Sequence, residues 1–158
     1  MKKYFAILLA VLAVFALCAC GSEAAPEDEG LSQIANPVVE VDATELQNAL
    51  GVALTVPGGD DNVKYFLING TIGEAQFDYN GASFVYRAQK TDAFEDISGV
   101  YFSKAIVIDS SLDCSVTVEE DGSAGAATWY ADGFSYAICM GEGATIEALQ
   151  AVYSALNP

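Results

Sequence analysis

Three dipeptides constrain this fold more than any other feature of the chain: Asn69-Gly70, Asn80-Gly81 and Asp132-Gly133. Both residues of such a pair accept positive φ, so the chain can reverse with the twist that joins neighbouring antiparallel strands. From Val63 the apolar period is two, as in strands with one buried face. A two-residue loop at Asn80-Gly81 sets Phe77 opposite Phe84, Ala75 opposite Tyr86 and Glu74 opposite Arg87, giving the hairpin one apolar and one polar side. The same loop at Asp132-Gly133 sets Trp129 opposite Tyr136 and Ala127 opposite Ile138, an aromatic core face. At Asn69-Gly70 a two-residue loop would turn Lys64 to the apolar side. A three-residue loop, Ile68-Asn69-Gly70 with Gly70 left-handed in a bulge, corrects this and sets Val63 opposite Ala75, Tyr65 opposite Gly73 and Lys64 opposite Glu74. Glu74 is then expected between Lys64 and Arg87 on an open, solvated face, where a charge ladder adds little stability.

The remaining elements follow from composition and period. Thr91 to Gly99 reads as a loop or short turn, Val100 to Ile108 and Cys114 to Glu119 as strands, and Asp121-Gly122 as a tight turn. Asn36-Pro37-Val38-Val39 leads into the first ordered element. Asp42 and Glu45 fit a capping box for a helix over about 43–51, with Leu46, Ala49, Leu50 and Ala53 on one face and Gly51 at its end. Pro57 to Asn62 is a loop. Thr145 caps a second helix whose Ile146, Leu149, Val152, Tyr153 and Leu156 form an apolar stripe that must lie on the sheet. The expected fold is α+β: an antiparallel, roughly seven-stranded curved meander sheet flanked by a short N-terminal and a C-terminal helix, both covering one face.

Ahead of this domain, Met1-Lys2-Lys3 precedes an apolar run from Tyr4 to Leu17, and the first acid is Glu23. A basic start, a short apolar core and small residues at the cut describe an export signal. The run is shorter than the ~20 residues that span a bilayer. Leu17-Cys18-Ala19-Cys20 resembles the bacterial lipoprotein lipobox, with Leu at −3, a small residue at −1 and Cys20 at +1. The resemblance implies a diacylglycerol on the Cys20 thiol and cleavage that leaves Cys20 as the new N-terminus. Cys18 stands where Ala, Ser or Thr is more usual, but its own preceding residue is the bulky Leu17, so Cys20 is the residue assigned. The chain thus divides into a lipoprotein signal peptide at 1–19, an acidic, disordered tether at 20–35 and a single domain at 36–158. The expected location is the cell membrane, lipid-anchored and facing outside the cytoplasm.

Loss of Lys2 and Lys3 makes the net charge two units more negative than −16, with Lys64, Arg87, Lys90 and Lys104 facing 22 acids. Such a surface repels nucleic acid and anionic head groups and serves solubility, or attraction for cations or a basic partner. The chain has no histidine, so Ser-His-Asp and Cys-His nucleophilic catalysis and imidazole zinc sites cannot be built. Cys114 and Cys139 have no CxxC spacing. In the expected register the strand at Ala126–Ala131 separates them by two strand steps, roughly 9.6 Å, beyond disulfide reach; a sheet order other than a meander would reopen that bridge. The acid pairs Asp60-Asp61, Glu95-Asp96 and Glu119-Glu120-Asp121 could flank a glycosidic bond, yet their composition is that of solvated turns. Gly58-Gly59-Asp60-Asp61-Asn62, with Asp60 and Asp61 as ligands, is the best local candidate for a hard cation, though it lacks the spacing of a calcium loop and has the composition of a polar turn. Gly70 and Gly73 lie in a hairpin and form no phosphate fingerprint. Among the strand aromatics, Trp129 and Tyr136 are assigned to the core, and Tyr130, on the opposite side of its strand, to exposed ligand contact.

Asn36-Pro37, Leu54-Thr55-Val56-Pro57, Asp96-Ile97-Ser98-Gly99, Thr128-Trp129-Tyr130 and Ser135-Tyr136 before a terminal helix resemble uncharacterised secreted and lipid-anchored domains of anaerobic Gram-positive bacteria, over about residues 36–156. The resemblance implies a fold and an anchored location but no reaction and no catalytic residues. A looser likeness, to domains that sit beside membrane-bound anti-sigma factors, rests on the Trp hairpin and final helix. The expected function is a non-enzymatic, membrane-anchored binding or envelope-associated module. It has no cofactor beyond the Cys20 diacylglycerol, membrane lipid and a protein or small ligand as partners, no nucleic acid, and a monomeric state. A regulatory sensor of the anti-sigma type and a carboxylate-dependent glycan hydrolase are the alternatives.

Overall fold

The computed structural model describes residues 37–59, 62–109 and 113–157. Cys20, the lipobox and the tether lie outside the described residues, as do Asp60 and Asp61. No described helix is long and apolar enough to cross a membrane. The elements run β1 (Val38–Val41), α1 (Ala43–Leu50), β2 (Lys64–Ile68), β3 (Ile72–Tyr79), β4 (Ala82–Lys90), β5 (Ala105–Asp109), β6 (Ser115–Glu119), β7 (Gly125–Ala131), β8 (Phe134–Met140) and α2 (Ile146–Leu156). All strand pairs are antiparallel, so the architecture is the α+β sheet with two helices that the turn signals require.

Two hairpin registers stand as the turns dictate. Phe77 pairs with Phe84, Ala75 with Tyr86 and Glu74 with Arg87, and Trp129 pairs with Tyr136 and Ala127 with Ile138. Asn80, Gly81, Asp132 and Gly133 all take positive φ. The first hairpin departs from expectation by two residues: Tyr65 pairs with Ala75, Phe66 with Glu74 and Lys64 with Gln76. Asn69 (φ 52°) and Gly70 (φ 71°) form the turn together, closed by Thr71 N–H donating to the Ile68 carbonyl at 3.1 Å, and Thr71 is the extra residue before Ile72. A shift of two preserves which face each side chain occupies, so Lys64 keeps its face but loses Glu74 as its neighbour.

Two further corrections concern the sheet as a whole. It has eight strands, because Val38–Val41 pairs along β2, and its order is β1-β2-β3-β4-β8-β7-β6-β5. The meander therefore breaks once: β4 pairs with β8, and the second half of the sheet runs back toward its edge at β5. The strand expected from Val100 begins only at Ala105, and residues 91–104 form a long connection.

Both helices lie on one face, and each is capped as its sequence requires. Asp42 accepts the Glu45 N–H and Glu45 reaches back to the Asp42 N–H, with Gly51 left-handed at the end of α1; Thr145 accepts the Ala148 N–H at 3.1 Å. Leu46 and Leu50 of α1 and Leu149, Val152 and Tyr153 of α2 bury against Ala75, Phe77, Phe84, Tyr86, Trp129 and Ile138. Gly73 makes room for α1, since a Cβ there would lie 2.2 Å from Leu50 Cδ1. Trp129 stacks on Tyr136 at 5.1 Å and meets Tyr153 edge-on at 5.0 Å. The core thus draws on residues from Val41 to Leu156, and residues 36–158 form a compact unit of their own.

Candidate binding groove

The face opposite the helices is not the open surface that the period suggests. Residues 135–139 of β8 are buried without a break, which requires cover on both sides of the strand. The cover is the connection between β4 and β5. Ile97 packs with Ala126, Ala137 and Cys139 in a second, smaller core, with Val85, Val100 and Phe102 around it.

Polar side chains from three strands pin this connection. Ser135 of β8 is fully buried; its hydroxyl lies 2.9 Å from Thr91 Oγ1 and accepts the Glu95 N–H at 2.8 Å. Arg87 of β4 donates through Nη1 to the carbonyls of Ser98 at 2.5 Å and Ile97 at 3.3 Å. Glu119 of β6 accepts the Ser103 hydroxyl and the backbone N–H groups of Ser103 and Lys104. The Ser103 hydroxyl, with help from those two N–H groups, holds the Glu119 carboxyl below its usual range. Arg87 is in turn fixed by Glu74, with Nε donating to Oε2 at 2.8 Å and Nη2 at 2.8 Å from the same oxygen. Gln76 donates to the other oxygen, Oε1, at 2.7 Å. The Glu74–Arg87 pairing read from the turn is present, but Glu74 is 5 % exposed, not on a solvated face, and Phe66 stands where Lys64 was expected.

Beside this pinned connection the same face is hollowed into an open groove of about 750 Å³. Its floor is a row that crosses four strands in register, Lys64, Gln76, Val85 and Cys139. Asp78 and Ser83 border one side, joined by a 2.6 Å hydrogen bond; Arg87, Ser98, Gly99 and Val100 border the other, and Met140 and Gly141 close the β8 end. Burial is the main reason the Cys139 thiol is pushed up to about 11, with Asp96 and Glu74 adding to the rise and Arg87 opposing it. The thiol is therefore neutral at physiological pH; it donates to the Ser98 carbonyl at 3.5 Å.

The residues singled out in the sequence fall elsewhere. Tyr130 is 41 % exposed and faces away from the helices, but its hydroxyl donates to the Thr91 carbonyl at 3.3 Å and it does not line the groove. Trp129 and Tyr136 are buried core. Cys114 belongs to the helix-side core and Cys139 to the loop-side core, so the sheet itself stands between two thiols that are not joined. In the two acid clusters that are described, Asp96 and Asp121 act as turn staples: Asp96 accepts the Ser98 N–H at 2.9 Å and Asp121 the Ser123 N–H at 2.9 Å. Hydrogen bonds from Ser123 lower the Asp121 pKa, as those from Ser103 do for Glu119. A glycosidase acid needs the opposite shift. Among the described residues no three His, Cys, Asp or Glu side chains gather as a metal site.

Sequence reasoning missed Ser135, Cys139 and the groove row, although Ser135-Tyr136-Ala137-Ile138-Cys139 carries the signal: after Ser135 the strand has no polar residue to face water. No family model matches this chain, and neither does any curated protein or solved structure.

Proposed function

We propose that this chain is an extracytoplasmic lipoprotein whose domain binds a ligand in the groove, held at the membrane by a diacylglycerol on Cys20. One observation carries the binding reading: a concave site of about 750 Å³ floored by one side-chain row of a rigid sheet and walled by a connection that Arg87 pins. A site built on strands is held more firmly than one built on loops alone. Its size is that of a small-molecule site, and it mixes apolar surface with a few polar groups. The likeness to secreted and lipid-anchored domains supports the location.

Gly141 offers a clean test. It lines the groove, its φ is not left-handed, and a Cβ there meets nothing within 4 Å, so Gly141→Trp should fill the groove without strain. Residues 36–158 with either side chain are expected to melt within about 3 °C of each other. Saturation-transfer NMR against the low-mass fraction of an envelope extract should show binders for the wild type and none for Gly141→Trp. Equal signals from the two proteins, or none from either, sink the binding reading. The anchor is tested separately: cells given an alkyne-tagged fatty acid should label the wild-type chain and not Cys20→Ala, and label persisting on the variant overturns the lipid assignment.

A further inference from the structure

The geometry points to a ligand class for the groove, and this rests on reading the groove as a binding site: an amphiphile with one carboxylate and an apolar tail. The floor is graded. From the β2 side to the β8 side it runs from an ammonium, Lys64, through an amide, Gln76, to the apolar Val85 and the neutral thiol of Cys139. Three strand steps separate its ends, about 14 Å. Val100 extends the apolar end.

The charges around this row set the valence of the ligand. Two of the four basic residues that follow Cys20 line a single groove in a chain with 22 acids. They are not equivalent. Arg87 is neutralised by Glu74 and has committed Nε, Nη1 and one side of Nη2, which leaves one Nη2 N–H of its five donors. Lys64 makes no ion pair among the described residues. Among the described residues Lys64 is thus the one groove cation without an ion pair, which matches one negative charge, and a second charge on the ligand would meet Asp78, the acid on the groove border. A carboxylate near neutral pH carries a single charge, whereas a phosphate monoester carries nearly two. The head of the ligand therefore lies at Lys64, with the Arg87 Nη2 N–H on its flank, and the tail covers Val85, Cys139 and Val100, where removing apolar surface from water supplies affinity without direction.

Octanoate and octanamide, which share a tail and differ in charge, are the probes, used below micellar concentration on residues 36–158. Titration with octanoate should move the methyl resonances of Val85 and Val100 in a saturable way. Octanamide should bind about tenfold more weakly, Lys64→Gln should weaken octanoate by a similar factor while leaving octanamide unchanged, and added salt should reduce only octanoate binding. Gly141→Trp should abolish binding of both. Equal affinity for the two probes, or undiminished octanoate binding by Lys64→Gln, overturns the carboxylate and leaves the groove as a neutral site. Unmoved groove methyls with both probes overturn the amphiphile, while the extract comparison with Gly141→Trp judges the groove itself.

Discussion

The two faces of the sheet are closed by different physics. The helix face is a broad apolar core in which Phe77, Phe84, Tyr86, Trp129 and Tyr136 meet Leu46, Leu149, Val152 and Tyr153. Its stabilisation scales with area and tolerates small shifts. The loop face has a small apolar patch around Ile97 and is otherwise held by directional bonds from Ser135, Arg87 and Glu119. Such bonds give modest net stability but fix position closely. A binding groove profits from the second kind of closure, because its wall must keep its place while one side stays open to solvent. The loop face is accordingly the one expected to loosen first.

Leu149→Ala is the largest test of this contrast. Leu149 is fully buried against Ala144, Gly125 and Val118, and its truncation should cost about 2–5 kcal/mol of global stability, read as a lower urea midpoint. A loss smaller than that caused by breaking the loop-face pins would remove the distinction between a structural and a positional face.

Arg87→Met should cost about 2 kcal/mol: less than a fully buried pair, because 24 % of the Arg87 side chain reaches water, yet substantial, because Glu74 is left buried and unpaired. The double variant Arg87→Met/Glu74→Gln should recover part of that loss. Hydrogen exchange sharpens the result. Amides pinned near Ser98 should open far more in Arg87→Met than those of β7, whereas Leu149→Ala should raise exchange everywhere. Uniform exchange in both variants would show the connection to be part of the same cooperative unit as the helix face.

The helix face was legible because it obeys local rules: Asn80-Gly81 and Asp132-Gly133 fix a register, Asp42 and Thr145 fix helix starts, and period two sorts the side chains. Three things escaped. The order β4-β8 depends on which distant strand is the better neighbour for Arg87 and Tyr86, and no turn residue encodes that. The Asn69-Gly70 turn placed its loop one residue later than expected, since Asn69 and Gly70 both took left-handed φ, and so Lys64 moved from a charge ladder to the groove. The cover over β8 came from Ile97, Val100 and Phe102, which read as scattered apolar residues in a loop. Their partners Ala126, Ala137 and Cys139 lay on a face that alternation had labelled polar. Asp60, Asp61 and Cys20 were legible as chemistry, but they lie outside the described residues. Tyr130 lies on the face that alternation assigns it, with its hydroxyl on the Thr91 carbonyl and away from the groove.

The smallest expected effect is the pH dependence of the pin at Glu119. The Ser103 hydroxyl, then the Lys104 and Ser103 N–H groups, lower its pKa, against opposing contributions from desolvation and from Asp121. A folded-state pKa below the unfolded value means that Glu119 contributes stability above its unfolded pKa, and that this contribution is lost as pH falls through its folded pKa. Glu119→Gln keeps one acceptor oxygen but removes the charge. The wild type should therefore have the higher urea midpoint at pH 7, and the difference should close toward pH 3. Because the carboxylate is solvated, the difference should also shrink with salt. The exchange rates of the Ser103 and Lys104 amides should rise in the variant while those near Ser98 stay put, because Arg87 holds that stretch independently. A gap that widens on acidification would mean that the tail of the connection is held by something other than the Glu119 charge, and the loop face would then rest on Arg87 and Ser135 alone.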